Sequence, residues 1–464
     1  MESTNPATGE RIETYEEHSE REVDDALDAA IEAFADWSER DITERQQLLA
    51  RAGAILEERE EEFAELMTRE MGKPIAEARA EVEKCAWVCE FYAEHAGEFL
   101  ADDVIGSEPH ARTLVSYEPL GAVLAVMPWN FPFWQVFRFA APHLTAGNVG
   151  LLKHASNVPG CALAIEEVFS EAGYPEGVFS SLLVGSDAVE GMIADDRLAA
   201  VTITGSEGAG RAVAGNAGEN LKKHVLELGG SDPFVVLADA DVGAAAETAA
   251  RARTLNSGQS CIAAKRFVAH SEIYDEFVDR FVSEMESLDV GDPTEEGTDV
   301  GPQAREDLLE TLHEQVEATE AAGATVECGG EPLEREGHFY PPTVLSGVPR
   351  DATAATEEVF GPAAAVFEVG SEEEAIDLAN DTEFGLGGSV WTTDIDRGER
   401  LAREIEAGCV FVNQLVKSDP RLPFGGVKNS GYGRELAKEG IHEFVNRKTV
   451  WVQEAGESDE IPTE

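Results

Sequence analysis

Residues 254–266 read TLNSGQSCIAAKR and set one thiol, Cys261, in a polar, glycine-bearing turn, with Gln259 and Ser260 before it and Lys265 and Arg266 after it. A structural cysteine usually sits among aliphatic neighbours, so this one is either a nucleophile or an inert thiol at a helix end. As a nucleophile it must reach the thiolate form, and an ordinary thiol is only a few per cent ionised near neutral pH. Three other stretches offer complementary groups. VLELGG, 225–230, sets Glu227 between two leucines on an apolar strand. It is a general base with a pKa raised by burial, or a salt-bridged edge residue. MPWNFP, 127–132, holds Asn130 between two prolines, as an oxyanion donor or a turn former. TGSEGAG, 204–210, follows a strand and opens a helix. Gly205, Gly208 and Gly210 allow an anion to approach the backbone, and Ser206 can cap the helix. A plain connecting turn has the same composition, and the G-x-G-x-x-G fingerprint is absent.

These groups must be positioned by regular elements. Residues 20–100 carry apolar residues at helical spacing in an acidic background. From 120 the pattern becomes alternating strands and helices: strands at GAVLAVMPWN, NVGLLKHA, LAAVTITGS and KHVLELGG, with helices at CALAIEEVFSEAG and GAGRAVAGNAGENL. After 230 a second series begins, with strands at DPFVVLAD, AKRFVAH, AAAVFEV, GGSVWTTD and AGCVFVNQ and helices over 241–256 and 272–287. The fold class is therefore α/β, with two lobes built on parallel sheets and a seam near 229–231. A cleft between such lobes, at the carboxyl ends of strands, suits a cofactor and a substrate. The C-terminal GESDEIPTE is expected to fray.

Composition narrows the functional classes. In 464 residues, 92 acids face 35 lysines and arginines, a formal net charge of −57. Such a field repels nucleic acid and anionic lipid. The acids are spread along the whole chain, which points to adaptation to high salt, where the Debye length falls to about 3 Å at 1 M. An acidic surface for a basic partner is the alternative. No apolar run is long enough to span a bilayer and no signal peptide opens the chain, so a cytoplasmic protein with no membrane or nucleic-acid partner is expected. Six scattered cysteines form no disulfide framework. Cys85 and Cys89, four apart, share a helix face and suit core packing better than a metal site.

Taken together and in order, ten stretches resemble the aldehyde dehydrogenase superfamily from about residue 5 to 453: NPATGE, EPLGAVLAVMPWNFP, AGNVGLLKHAS, TGSEGAG, LELGGSDP, NSGQSCIAAKR, PPTVL, EEVFGP, NDTEFGLGGSVWTTD and PFGGVKNSGYGRE. LLKHAS, LELGGSDPF and AAKRF are most similar to the short, bacterial-type succinate-semialdehyde dehydrogenases. The resemblance implies that Cys261 attacks the aldehyde carbon, that the Asn130 side chain and the Cys261 N–H hold the oxyanion, and that Glu227, 34 residues before the thiol, activates water against the thioester. It implies that Lys153 contacts the adenosine ribose, that Gly205 and Ser206 lie under the pyrophosphate, that Glu358 binds the nicotinamide ribose with Phe360 packed near it, and that Trp129 is a further cofactor-binding residue. Many NAD-preferring members have Glu where Ser156 stands here, and serine does not repel a 2′-phosphate. The cofactor is therefore NAD or NADP. Arg138 is implied to grip a substrate carboxylate, with Ser418, and Lys417 or Arg421 in the same loop, completing the pocket. A second arginine of some relatives is replaced by Leu255.

The family also implies architecture: a Rossmann-like dinucleotide-binding domain over 1–101 and 119–229, a catalytic domain over 230–435, and a small β oligomerisation arm with the tail over 102–118 and 436–464. A homodimer or homotetramer is expected. The expected reaction is oxidation of succinate semialdehyde to succinate with NAD(P). The alternatives are the same chemistry on another small aldehyde, or a non-catalytic use of the fold.

Overall fold

The computed structural model describes residues 1–108 and 111–454, so the expected frayed tail and the tip of the 102–118 hairpin lie outside the described residues. An antiparallel pair, β1 (Glu2–Thr4) and β2 (Arg11–Thr14), precedes four helices, Glu20–Trp37, Ile42–Glu58, Glu60–Met71 and Ile75–Phe99. Local chemistry sets their ends. Ser19 and Glu22 form a reciprocal capping box at the first, and Gly72, at φ 82°, closes the third in the left-handed conformation. Cys85 and Cys89 are buried among the apolar residues of the fourth helix.

Strands β3 (Asp103–Glu108) and β4 (Ala111–Pro119) project as an antiparallel ribbon. The first lobe follows: β5 (Ala122–Met127), β6 (Val149–His154), β7 (Phe179–Ser181), β8 (Leu198–Thr204) and β9 (Lys223–Glu227) pair in parallel in the order β9-β8-β5-β6-β7. β5 and β6 are apolar almost throughout because helices cover both faces of the sheet. The chain runs from β5 outward through β6 and β7, then crosses to β8 on the other side. That reversal opens a crevice beyond the carboxyl ends of β5 and β8. It is where residues 128–132 and Gly205–Ser206 sit.

The second lobe holds β10 (Pro233–Val236), β11 (Arg266–His270), β12 (Thr325–Cys328), β13 (Thr343–Ser346), β14 (Ala363–Val369), β15 (Gly387–Trp391) and β16 (Cys409–Val412), in the order β12-β13-β14-β11-β10-β15-β16, with β12 alone antiparallel. Two apolar cores cover its faces.

The chain then returns to the first lobe earlier than a boundary at 435 allows. β17 (Gly431–Tyr432) pairs antiparallel with β9, with Gly431 opposite Glu227, and Phe424, Leu436 and Ile441 join the first lobe's core. A two-residue strand has no periodicity to read, which is why the return is invisible in sequence. Only glycine fits at 431: its φ is 109°, and a Cβ would lie 2.0 Å from the Leu226 carbonyl oxygen. Finally β18 (Val445–Gln453) pairs along the full length of β4, completing a three-stranded sheet. Among the described residues no helix is long and apolar enough to cross a membrane.

Candidate active site

Cys261 stands just past a strained kink. The helix Val242–Thr254 stops short of the expected 256, and the next residues turn left-handed: Asn256 at φ 53°, Ser257 at φ 55° and Gly258 at φ 75°. Each non-glycine residue there costs about 1–2 kcal/mol and must be held by its surroundings. The polar residues that looked out of place around a cysteine supply that hold. Asn256 donates its N–H to Glu77 Oε2 at 2.8 Å and its side-chain amide to the Asn130 and Gln259 carbonyls at 2.7 and 3.0 Å. Ser257 Oγ accepts from the Gly301 N–H at 2.8 Å, and Gln259 Oε1 from the Ala304 N–H at 2.9 Å. Lys265 Nζ donates to the carbonyls of Ser260 and Cys261 at 3.0 and 2.8 Å. Asn256, Ser257, Gln259 and Ser260 are all buried. Gly258 lies against the chain at Gly361, where a Cβ would meet the carbonyl carbon at 2.2 Å.

Burial pushes the Cys261 thiol up to about 12; Lys265 and Arg138 oppose that rise, while Glu358 and Asp232 add to it. Its backbone N–H has no acceptor among the described residues. Asn130 Nδ2 donates to the Gln259 carbonyl at 3.0 Å, which orients the amide and leaves its second hydrogen to give. These are two donors suited to an oxyanion. Glu227, at the end of β9, is buried with neither carboxylate oxygen hydrogen-bonded among the described residues. Burial first, and the Glu435 charge second, push its carboxyl well above the usual range against Arg138 and Arg434. Its proton affinity is therefore high. Burial pushes the Cys409 thiol on β16 well up, and the charges of Asp232, Glu227 and Cys261 add to that rise against Arg434.

Cys261 opens into a cavity of about 230 Å3 whose wall includes Lys84, Phe131, Trp134, Arg138, Lys417 and Ser418. Neither Asn130 nor Glu227 lines it. Arg138 does, but its guanidinium already pairs with buried Glu435, stacks 4.8 Å from the Phe424 ring centroid and reaches Thr204 Oγ1 at 3.4 Å. Arg421 lies outside the cavity and pairs with Asp419 at 2.7 Å.

The second group of residues gathers at the β5–β8 crevice. Ser206 caps the helix Glu207–Glu219, its side chain accepting from the Ala209 N–H. Gly205 opens that turn, and a Cβ on Gly208 in the first helical turn would meet nothing within 4 Å, so the helix N-terminus is open to a ligand. Lys153, at the end of β6, is buried with no ion-pair partner among the described residues, and burial lowers its pKa. Ser156 is exposed. Nearer the thiol, Glu358 Oε1 accepts from the Gly230 N–H at 3.0 Å and lies 3.5 Å from Lys265 Nζ, the same ammonium that holds the Cys261 carbonyl. Trp129 and Phe360 meet edge to face at 5.8 Å. A buried ammonium, an open helix N-terminus and a carboxylate braced near the thiol fit the donor set of a dinucleotide.

The profile of the aldehyde dehydrogenase family matches residues 1–450. This chain belongs to the aldehyde dehydrogenase family. The chain is 55% identical over 448 residues, 97% of its length and 98% of the relative's, to the Synechocystis sp. protein named Probable succinate-semialdehyde dehydrogenase (NADP+). It is 52% identical over 458 residues, 98% of its length and 97% of the relative's, to the succinate-semialdehyde dehydrogenase (NADP+) of Mycobacterium avium. The solved structure of succinic semialdehyde dehydrogenase from Streptococcus pyogenes, in complex with NADP+, superposes with a TM-score of 0.95 at 36% identity, covering 97% of this chain and 99% of that one.

Several residues of this aldehyde dehydrogenase's site were not foreseen. The helix Ile75–Phe99 brings Glu77, Glu81 and Lys84 to the cavity wall, spaced i, i+4 and i+7. Glu81 pairs with buried Lys73 and accepts from the N–H groups of Phe133 and Trp134, each at 2.9 Å, which fixes the turn after Asn130. The spacing is a readable signal, but in so acidic a chain three charged residues on one helix do not stand out.

Proposed function

We propose that this aldehyde dehydrogenase oxidises succinate semialdehyde to succinate, with NADP as the preferred oxidant. The observation that carries the reading is the 230 Å3 cavity that joins the Cys261 thiol to a cationic wall holding Lys84 and Arg138, room for a short aldehyde whose far end is a carboxylate. The names of the Synechocystis, Mycobacterium and Streptococcus proteins support it.

In this reading Cys261 reacts as the thiolate, its proton having left to water: Sγ adds to the aldehyde carbon, the carbonyl π electrons pass to oxygen, and the Asn130 amide with the Cys261 N–H takes the oxyanion of the thiohemiacetal. A bound nicotinamide dinucleotide supplies the hydride acceptor, held by Lys153, Gly205, Ser206, Trp129, Glu358 and Phe360. Glu227 then takes a proton from water as the water's oxygen attacks the thioester carbon, and the sulfur leaves with the acid released. Ser156 leaves space and no negative charge beside Lys153 for a 2′-phosphate, which favours NADP. The three-stranded β3-β4-β18 sheet serves as the contact between subunits of a homodimer or homotetramer.

The test is turnover in molar KCl of succinate semialdehyde and of neutral aldehydes, with both cofactors, followed at 340 nm. The expected result is a preference of at least tenfold in kcat/KM for succinate semialdehyde with NADP, loss of more than a thousandfold in Cys261→Ser, and a swing toward NAD of at least tenfold in Ser156→Glu. Unimpaired oxidation by Cys261→Ser, or equal turnover of charged and neutral aldehydes, overturns it.

A further inference from the structure

The cavity beside Cys261 contains a cation that no expectation assigned. Lys84 reaches into it from the helix Ile75–Phe99, its Nζ donating to Ser418 Oγ at 2.7 Å and lying 4.4 Å from the Trp134 ring centroid. Among the described residues no carboxylate lies within ion-pair distance of this ammonium. The acids around it are engaged elsewhere: Glu77 with the Asn256 N–H, Glu81 with Lys73 and the Phe133 and Trp134 N–H groups, and Asp419 with Arg421. The cavity's other cations are less available. Arg138 is neutralised by Glu435, and Lys417 is exposed to solvent. A half-buried ammonium without a counter-ion is costly unless an anion arrives to meet it.

We infer that Lys84 is a specificity-determining residue, receiving the far-end carboxylate of the substrate as a direct ion pair while Ser418 donates its hydroxyl hydrogen to the same group. The inference rests on the reading of the cavity as the site of a carboxylate-bearing aldehyde. Ser418 can do this because its oxygen already accepts from Lys84, which leaves its own O–H free to turn toward the ligand. Trp134, Phe131 and Val416 supply apolar walls for the methylene chain between carboxylate and aldehyde. Arg138 then adds long-range positive potential from behind Glu435 rather than a primary grip.

Burial and the Arg138 charge bring the Lys84 ammonium down to about 8; Cys85 and Glu81 on its own helix and Asp419 in the facing loop act in the opposite sense. A lysine loses its charge as pH rises, so carboxylate binding should weaken above about pH 8.

The test compares succinate semialdehyde with butanal, which has the same carbon chain and no carboxylate. In Lys84→Met, kcat/KM should fall at least thirtyfold more for succinate semialdehyde than for butanal, chiefly through KM, and succinate should lose a similar factor as an inhibitor competing with butanal. Lys84→Arg should recover most of the loss. In the wild type the KM for succinate semialdehyde should rise above pH 8 while that for butanal does not, and Lys84→Met should lack that rise. Lys84→Gln, which keeps a neutral polar end on a side chain one atom shorter, is read the same way should the methionine variant fold poorly. Equal losses on the two aldehydes, or a preference for the charged one that survives in Lys84→Met and Lys84→Gln, overturns the assignment of Lys84 alone. A wild-type enzyme with no preference between the two aldehydes overturns the substrate reading beneath it.

Discussion

The Cys261 thiol illustrates how far a residue's identity and its environment can pull apart. The nucleophile proposed here would profit from a lowered pKa, yet burial raises this thiol to about 12, with Lys265 and Arg138 too weak to offset it. Because the thiolate is the reactive form, alkylation of Cys261 should be slow at pH 7.5. It should climb about tenfold per pH unit through pH 10, with no plateau near the ordinary thiol value of 9. Iodoacetamide labelling of the cofactor-free protein, read at Cys261 by mass spectrometry, checks this; a plateau below pH 9 contradicts it. That Cys261 is an unusual thiol was readable from its neighbours, because Gln259 and Ser260 are unusual company for a structural cysteine. The state of Arg138 was not, since its partner Glu435 lies 297 positions away in the chain and reaches it only through the return to the first lobe.

At the scale of elements, the helix Ile75–Phe99 does more than pack. Its Glu77 carboxylate braces the left-handed Asn256 from across the cavity wall. Burial raises this carboxyl to about 7, with Lys73 and the Asn256 N–H only partly offsetting it. Folding therefore favours the protonated form. The unfolded chain gives up its proton near 4.5, so stability from this group falls as pH climbs from about 4.5 to 7 and changes little beyond. Glu77→Gln keeps an acceptor for Asn256 and does not titrate. Its stability relative to wild type should grow by up to about 3 kcal/mol between pH 4.5 and pH 8, seen as a widening gap in thermal midpoints. A gap that stays constant with pH would refute the assignment. Periodicity marked this helix plainly, and the α/β alternation after 120 marked most strands of both lobes. β1, β2, β7, β12, β13 and β17 were missed because each spans only two to four residues, too few for a readable period, and is fixed by its pairing rather than by its own residues.

For the whole molecule, two features bear on its behaviour in solution. The β3-β4-β18 sheet exposes Ile105 at 73% and Trp451 at 61%, with Val104 and Val452 beside them, an apolar surface on a sheet with open edges. Trp451→Asp should shift the protein toward monomers in light scattering; an unchanged mass would show that the arm is not the contact. The second feature is charge. With 35 basic residues against 92 acids, single arginines serve several acids: Arg59 meets Glu62, Glu167 and Glu171, and Arg197 meets Asp24, Asp28 and Asp195. Among the described residues most acids have no ion-pair partner, so the thermal midpoint should rise steadily between 0.1 and 1 M KCl as the Debye length shrinks from about 10 Å to about 3 Å. A midpoint that is flat or falling with salt would contradict the salt-adapted reading. The amino-acid sequence by itself determined the two-lobed α/β plan and the extreme charge, and singled out a thiol, an acid and an amide as candidates for the site, because periodicity, turn chemistry and composition are local properties. Only the tertiary structure decided which charges meet: that Glu435 neutralises Arg138, that Lys84 faces the cavity without a counter-ion, and that Glu227 is buried beside a strand from the far end of the chain. Pairing between groups hundreds of positions apart depends on how the chain returns on itself, and no local pattern encodes that.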